Sequence, residues 1–322
     1  MCTDGRTLAG GKDSVMNTIF LDAPIDDNKR RELLYRGQLL VYSPTPSSLK
    51  LVNFARQMAE EALQPYEPET AQHHLPVERY ASILAELKPK FIHHPISKEC
   101  IQSIFRELGV DPHKTFFDVP RMRTSTSDDY LKTGIAYAFH PHRDTWYSAP
   151  MCQINWWMPI YSIVPENAMA FHPRYWSQPV RNGSAEYNYA EWNRTSRQNA
   201  AQFVKEDTRK QPKPEEPMEL DPQIRVIAPP GGILLFSGAQ MHSSVPNNSG
   251  RTRFSIDFRT VNIDDIAARR GAPNVDSACT GTTMGDYLRG TDLAHVPEEY
   301  YPLYETQPAF AKPEEFETAT SA

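Results

Sequence analysis

His142 and Asp144, in the run Phe139-His140-Pro141-His142-Arg143-Asp144, set an imidazole and a carboxylate two positions apart. On extended backbone such residues project to the same side and can reach one point in space. A third candidate, His242 in Gly238-Ala239-Gln240-Met241-His242, lies far along the chain. Two imidazoles and one carboxylate can occupy one face of a metal's coordination sphere and leave the opposite face open. A His-x-Asp unit alone is weak, because an isolated histidine is more often a hydrogen-bonded or surface residue than a ligand.

The segments around His242 strengthen the case. Pro229-Pro230-Gly231-Gly232 reads as a turn, and Ile233-Leu234-Leu235-Phe236 as a short buried strand with His242 just beyond it. After a second turn, Pro246 to Gly250, the run Arg253 to Arg259 alternates with the period of a strand. Phe254, Ile256 and Phe258 face one way, and Arg253, Ser255 and Asp257 the other. A guanidinium fork beside a hydroxyl is suited to gripping a buried carboxylate. The competing reading is a salt bridge from Arg253 to Asp257 or to a neighbouring strand.

His142-Arg143-Asp144, a long interval, His242, and then Arg253-Phe254-Ser255 together resemble the signature of Fe(II)/2-oxoglutarate-dependent oxygenases. Within these the chain is most similar to the phytanoyl-CoA dioxygenase group, through Gly231 to Phe236, His242-Ser243-Ser244 with Pro246 to Ser249, Gln153 to Pro159, and the turn Pro165-Glu166-Asn167. The match spans roughly 134–261, with an interruption. The resemblance implies Fe(II) held by His142, Asp144 and His242, the distal carboxylate of 2-oxoglutarate held by Arg253 and Ser255, and Gln153 beside the co-substrate. It also implies O2 as oxidant, release of succinate and CO2, and hydroxylation of an unactivated C–H bond, since related halogenases carry a small residue where Asp144 stands. Desaturation, epoxidation and ring formation stay open as outcomes. The chain departs from the group at Asn167 to Trp176, which leaves the substrate class open.

Other residues compete for roles. His140 shares the strand face of His142 and is a rival ligand; a cupin-type metal enzyme working without 2-oxoglutarate would use His140, His142 and His242, but 145–149 lacks the glutamate that such a site needs. Arg143 should point away from the metal. Trp146, Tyr147, Trp157 and Arg174 are candidate substrate contacts, although large aromatics are more often core.

The elements that must position these residues follow from the pattern. A first strand is expected near Gln38–Ser43. A helix starting at Ser47, capped by Ser47 or Ser48, carries Leu51, Phe54, Ala55, Met58 and Ala62 on one stripe. Further helices are expected over Val77–Leu87 and Lys98–Leu108, the latter stopped by Gly109. Strand-like runs follow at Thr115–Met122, Gly134–His142, Cys152–Met158, Arg225–Ile227, Gly232–Phe236 and Arg253–Val261. The expected fold is α+β, mainly β: a double-stranded β-helix, or cupin-like jelly-roll barrel, buttressed by N-terminal helices.

The expected organisation is one oxygenase domain over 1–322, with a helical buttress at 46–110, a jelly-roll core at 115–262 and a C-terminal extension at 264–322. The stretch 173–222 reads as an insert in the core, with a helix near Trp192–Val204, acting as a lid or as an interface. The first residues and those beyond about Lys312 are expected to lack fixed structure.

Composition narrows the partners. With 322 residues and a formal net charge of −6, the chain can bury a full core, and its scattered Lys and Arg offer no phosphate-tracking run. The expectation is a small-molecule substrate, no nucleic acid and no membrane, in a monomer or homodimer. Cys2, Cys100, Cys152 and Cys279 show no zinc or disulfide spacing, and no apolar stretch is long enough to span a bilayer, so a cytoplasmic setting is expected. The polarity of the insert points to a small polar metabolite or biosynthetic intermediate.

Overall fold

The computed structural model describes residues 18–131, 140–195, 209 and 211–306. The chain opens with β1 (Ile19–Leu21), α1 (Asp27–Tyr35) and β2 (Leu39–Tyr42), followed by three helices, α2 (Pro46–Leu63), α3 (Val77–His93) and α4 (Pro95–Glu107). Next come β3 (Thr115–Phe117), β4 (Arg121–Ser125), β5 (Ile154–Pro159) and β6 (Met169–Phe171), then α5 (Tyr189–Thr195). The chain continues with β7 (Ile224–Arg225), β8 (Ile233–Ser237), β9 (His242–Ser244), β10 (Arg253–Asn262), α6 (Ile263–Ala268) and β11 (Leu288–Arg289).

Local chemistry explains the helix starts. Asp26 caps α1 by accepting from Lys29 N at 2.9 Å. Thr45, and not Ser47 or Ser48, caps α2: its hydroxyl accepts from Ser48 N while the Ser48 hydroxyl accepts from Thr45 N, with Pro46 in the first turn. Helix α3 runs on past Leu87 to His93 through an internal Pro89. The expected stripes are the packed ones: Leu51, Ala55, Tyr80, Leu84, Leu87, Ile101, Ile104 and Phe105 are buried.

The strands form two sheets. The larger has eight strands in the order β1-β2-β8-β5-β10-β3-β11, with β4 also paired to β10. Strand β10 is its spine. One edge pairs antiparallel with β5 from Ser255 to Thr260; the other takes β4 along Arg253 to Asp257 and β3 along Thr260 to Asn262. The smaller sheet runs β7-β6-β9, and a bridge from His142 to His242 extends it on the β9 side.

Alternation puts apolar side chains on both faces of the central strands. Leu40, Trp156, Met158, Ile233, Leu235, Phe254, Ile256 and Phe258 join the cluster that includes the helices, whereas Leu39, Val41, Trp157, Leu234 and Phe236 pack with Met169 and Phe171 of the smaller sheet. Helices therefore cover one face of the large sheet. The other face, towards the small sheet, is left for the cavity.

Several expectations change here. Among the described residues helical residues outnumber strand residues, an α+β composition that is not mainly β, and the two sheets are not joined by hydrogen bonds into a closed barrel. The run Thr115–Met122 breaks into β3 and β4 across Asp118-Val119-Pro120, and β1, β6, β9 and β11 were too short to show a period. Most of the strand expected at Gly134–His142, the helix beyond Thr195 and both termini lie outside the described residues. The expected insert sits between β6 and β7 and includes α5.

Candidate metal centre and its cavity

Arg143 has extended backbone (φ −110°, ψ 141°), so His142 and Asp144 on either side of it turn inward while Arg143 turns away. The Arg143 guanidinium is buried against Asp276, at 3.0 Å, and donates to Ala239 O at 2.6 Å. His242, the first residue of β9, faces His142 across a two-way backbone bridge with both N–H···O distances at 3.0 Å. The ring centroids of the two histidines are 4.3 Å apart. His142, Asp144 and His242 bring one ligand atom each within 4.8 Å of one another.

The protein orients each of the three. His142 Nδ1 lies 2.8 Å from His140 O, and His242 Nδ1 lies 2.9 Å from Gln240 O. A carbonyl can only accept, so each Nδ1 carries the proton and each Nε2 keeps its lone pair. Both Nε2 atoms face Asp144 Oδ1, at 3.5 Å and 3.9 Å. The other carboxylate oxygen, Oδ2, accepts from Gln153 Nε2 at 2.8 Å and Asn155 Nδ2 at 2.8 Å, with Arg259 Nε at 3.7 Å. One oxygen is thus tied back and the other presented.

Electrostatics suit a metal site. Burial pushes His242 down to about 3, helped by the neighbouring His142, so its ring is neutral at neutral pH. Burial opposes ionisation of Asp144, but the neighbouring His142 and the charge of Arg259 outweigh it and hold the carboxyl well below its usual range. Neutral imidazoles and an ionised carboxylate are the states in which these groups coordinate.

A cavity of about 450 Å³ opens from this cluster along the same face of the large sheet. Arg253 and Ser255 of β10 lie on its wall, both buried. Asp257 pairs with Arg123, at 2.7 Å and 3.2 Å, and so leaves Arg253 to the cavity. Arg253 packs over the Trp157 ring at 5.7 Å and donates through Nη1 to Asn167 O at 2.9 Å. Its Nε and the Ser255 hydroxyl are buried with no hydrogen-bond partner among the described residues. Burial draws the Arg253 pKa down to about 10, which still leaves it charged at neutral pH.

Aromatic rings continue the wall away from the metal cluster: His142 to Tyr147 is 5.6 Å, Tyr147 to Tyr187 5.5 Å, and Tyr187 to Trp192 6.4 Å between centroids. Tyr187 and Trp192 come from the stretch between β6 and β7. Its return is docked on the metal motif, because Pro212 O accepts from His140 Nε2 at 2.8 Å and from Tyr147 Oη at 2.8 Å. The cavity wall also includes Lys88, whose Nζ donates to Thr124 Oγ1 at 3.0 Å.

Most of the residues singled out from the sequence converge here: His142, Asp144, His242, Gln153, Arg253, Ser255, Tyr147 and Trp157 all line the cavity. The others lie as follows. His140 turns to Pro212 O and away from the cluster. Trp146 is fully buried in a separate apolar cluster with Tyr175, Val180 and Met241, its Nε1 donating to Asp276 Oδ1 at 2.7 Å; it lies within a turn of 3-10 helix, Asp144–Tyr147, that rotates it away from the cavity. Arg174 is a surface residue paired with Glu219. Gln153 contacts Asp144 itself.

Asn155, Arg259 and Tyr287 went unrecognised from the sequence. For Asn155 a signal existed: Gln153 and Asn155 are two polar residues at strand spacing in an otherwise apolar run, which marks a shared polar task on one face. Arg259 extends the polar face of β10. Tyr287 has no local signal, as its role arises only where distant segments meet.

No protein-family model and no curated protein matches the sequence. Similar solved structures include EvdO2 from Micromonospora carbonacea var. aurantiaca complexed with 2-oxoglutarate (12% identity, 74% of this chain and 92% of that one, TM-score 0.42). AviO1 from Streptomyces viridochromogenes Tue57 is 14% identical over 79% of this chain and 99% of that one, with a TM-score of 0.37. The epimerase SnoN in complex with Fe3+, alpha ketoglutarate and nogalamycin RO is 13% identical over 73% and 85%, also with a TM-score of 0.37. These likenesses are distant, and the chemistry of the site rests on its own geometry.

Proposed function

We propose that this chain is a non-haem Fe(II)/2-oxoglutarate-dependent oxygenase, most like the phytanoyl-CoA dioxygenase group, built on a double-stranded β-helix whose two halves are the large and small sheets. The observation that carries the reading is a division of labour across one cavity face. His142, Asp144 and His242 converge with their lone pairs presented. Further along, the Arg253 Nε and the Ser255 hydroxyl are buried without partners.

A buried guanidinium N–H left without an acceptor is costly, and it fits a site completed by an anionic ligand. The donor set of two imidazole nitrogens and one carboxylate oxygen fits Fe(II) with open positions. Arg253 and Ser255 would hold the distal carboxylate of 2-oxoglutarate. When bound, the iron with 2-oxoglutarate and O2 supplies the oxidation of a C–H bond, with release of succinate and CO2.

The chain's own residues do the rest. Gln153 and Asn155 keep Asp144 from turning its second oxygen inward. Trp157 supports the Arg253 guanidinium from one side. Tyr147, Tyr187 and Trp192 wall the cavity and, with the segment at Pro212 docked through its carbonyl, act as a cover that excludes water from the substrate. A cavity of about 450 Å³ suits a small molecule, and its polar lining at Lys88, Arg121 and Arg123 suits a polar metabolite or biosynthetic intermediate, with hydroxylation as the outcome.

The test is anaerobic addition of Fe(II) and then 2-oxoglutarate, read as the weak visible charge-transfer band of the chelate, repeated with Arg253→Ala. A band in the wild type that weakens in the variant supports metal, co-substrate and clamp together. Bound iron with no band would remove 2-oxoglutarate and favour a cupin-like metal enzyme.

A further inference from the structure

The carboxylate ligand sits at the end of a hydrogen-bond chain that starts in a different part of the sequence. Tyr287 lies just before β11 and is buried to 1% exposure, and its hydroxyl donates to Gln153 Oε1 at 2.6 Å. Gln153 Nε2 then donates both to Asn155 Oδ1, at 2.8 Å, and to Asp144 Oδ2, at 2.8 Å. Asn155 Nδ2 closes the set on the same Asp144 oxygen at 2.8 Å.

The direction of this chain is what matters. A side-chain amide has a donor end and an acceptor end of almost equal size, so packing alone does not choose which end faces a neighbour. If the Gln153 amide were reversed, its carbonyl would face the Asp144 carboxylate, and two acceptors would meet without a proton. A phenol hydroxyl donating to Oε1, with an acceptor-only carboxylate on the other side, holds the amide with its nitrogen towards Asp144. Once Gln153 is fixed, its N–H group fixes Asn155 in turn, and both amides donate to Asp144. Burial, reinforced by the charge of Asp118, holds the Tyr287 phenol well above its usual range, so the group stays a donor throughout the range in which proteins fold.

The surroundings leave Gln153 little room to find another partner. It is buried to 2% exposure, and a Cβ at Gly238 would stand 3.1 Å from Gln153 Nε2. Gly238 N also donates to Gln153 O at 2.9 Å, which holds the residue's backbone.

We propose that Tyr287 is a positioning residue for the metal centre, acting through Gln153 to set which oxygen of Asp144 is offered for coordination. The proposal rests on the metal-site reading given above and needs neither 2-oxoglutarate nor turnover. An outer partner of this kind is worth about 10–100-fold in metal affinity when it touches a ligand directly. Tyr287 stands one bond further out, so about a tenfold effect is expected.

The experiment is Co(II) binding to the full-length chain, read as the dissociation constant and the visible d–d spectrum, for the wild type, Tyr287→Phe, Gln153→Ala and the double variant. The expected result is about tenfold weaker binding and an altered spectrum for Tyr287→Phe, and a double variant no worse than Gln153→Ala alone, because the phenol acts only through the amide. Tyr287→Phe with wild-type affinity and spectrum, or a loss that adds in full to that of Gln153→Ala, would overturn the proposal. So would a lower melting temperature of the metal-free Tyr287→Phe protein with Co(II) binding unchanged, which is the mark of packing alone. A wild-type chain that binds no Co(II) removes the metal-site reading and this proposal with it, whereas binding by the wild type and an unaltered variant removes this proposal only.

Discussion

Two regions of one cavity wall differ in how far the protein completes them. Around His142, Asp144 and His242, every outward-facing ring nitrogen and carboxylate oxygen has a named protein partner: backbone carbonyls for the imidazoles, and amides for Asp144 Oδ2. At Arg253 and Ser255, a guanidinium nitrogen and a hydroxyl are buried with none among the described residues. The first region is rigid before anything binds, so its geometry selects a ligand set. The second is left electrostatically open, so its geometry selects a charge.

That difference can be broken at either end. The largest effect is expected at the first: His142→Ala, Asp144→Ala or His242→Ala should each lower affinity for a divalent metal by more than the roughly 100-fold that an outer-shell change causes, measured by calorimetry. A double Asp144→Ala, His242→Ala chain that kept iron-dependent activity would remove the assignment altogether.

Arg253→Ala comes next and should act on the other region alone. Charge-assisted hydrogen bonds contribute about 1.5–3 kcal/mol, so the 2-oxoglutarate concentration needed for half-saturation should rise about 10–100-fold with metal affinity unchanged. Arg253→Lys should fall between, as an ammonium cannot offer the fork. A parallel loss of metal affinity would show that the two regions are not separable.

Ser255→Ala should move two observables in opposite directions. Removing a buried hydroxyl that has no partner should raise the stability of the ligand-free chain by up to about 1 kcal/mol, while 2-oxoglutarate binding weakens by about fivefold. Thermal melts with and without the co-substrate would check both. A destabilised ligand-free Ser255→Ala chain would mean that the hydroxyl has a partner after all.

A separate effect, on stability and not on ligand binding, lies at Lys88 on the cavity wall. Burial, aided by the Arg123 charge, lowers the Lys88 pKa from 10.5 to about 7. Between those values the unfolded chain holds a proton that the folded chain has given up, so stability rises with pH across that window and is lost as pH falls towards 7. Lys88→Met should flatten this slope in denaturant titrations at pH 7 to 10.

The candidate ligands were legible in the sequence because their spacing is local. His142 and Asp144 are two apart, and Arg253 and Ser255 share one face of a strand, so spacing alone brought each pair together. The helix stripes were equally readable, since burial repeats every turn over many residues. Strands of two or three residues, such as β6 and β9, are too short to display a period and exist only because a partner strand is present. Trp146 was misplaced for a related reason: a single turn of 3-10 helix after Asp144 reverses the facing that a continued strand would have given it. Tyr287 could not be read at all, because nothing in its neighbours points to Gln153, which lies across the fold.

Each candidate ligand histidine is oriented by the carbonyl two residues before it, His140 O for His142 and Gln240 O for His242. A main-chain oxygen is present whatever side chain its residue carries. The aim of both rings is therefore insulated from mutation at 140 and 240, and the Pro212 carbonyl that docks the insert enjoys the same immunity. A lineage descended from this chain could rewrite the covering segment for a new substrate while inheriting the metal centre intact, with the Asp144 side of the site, which depends on named side chains, as the part least free to drift.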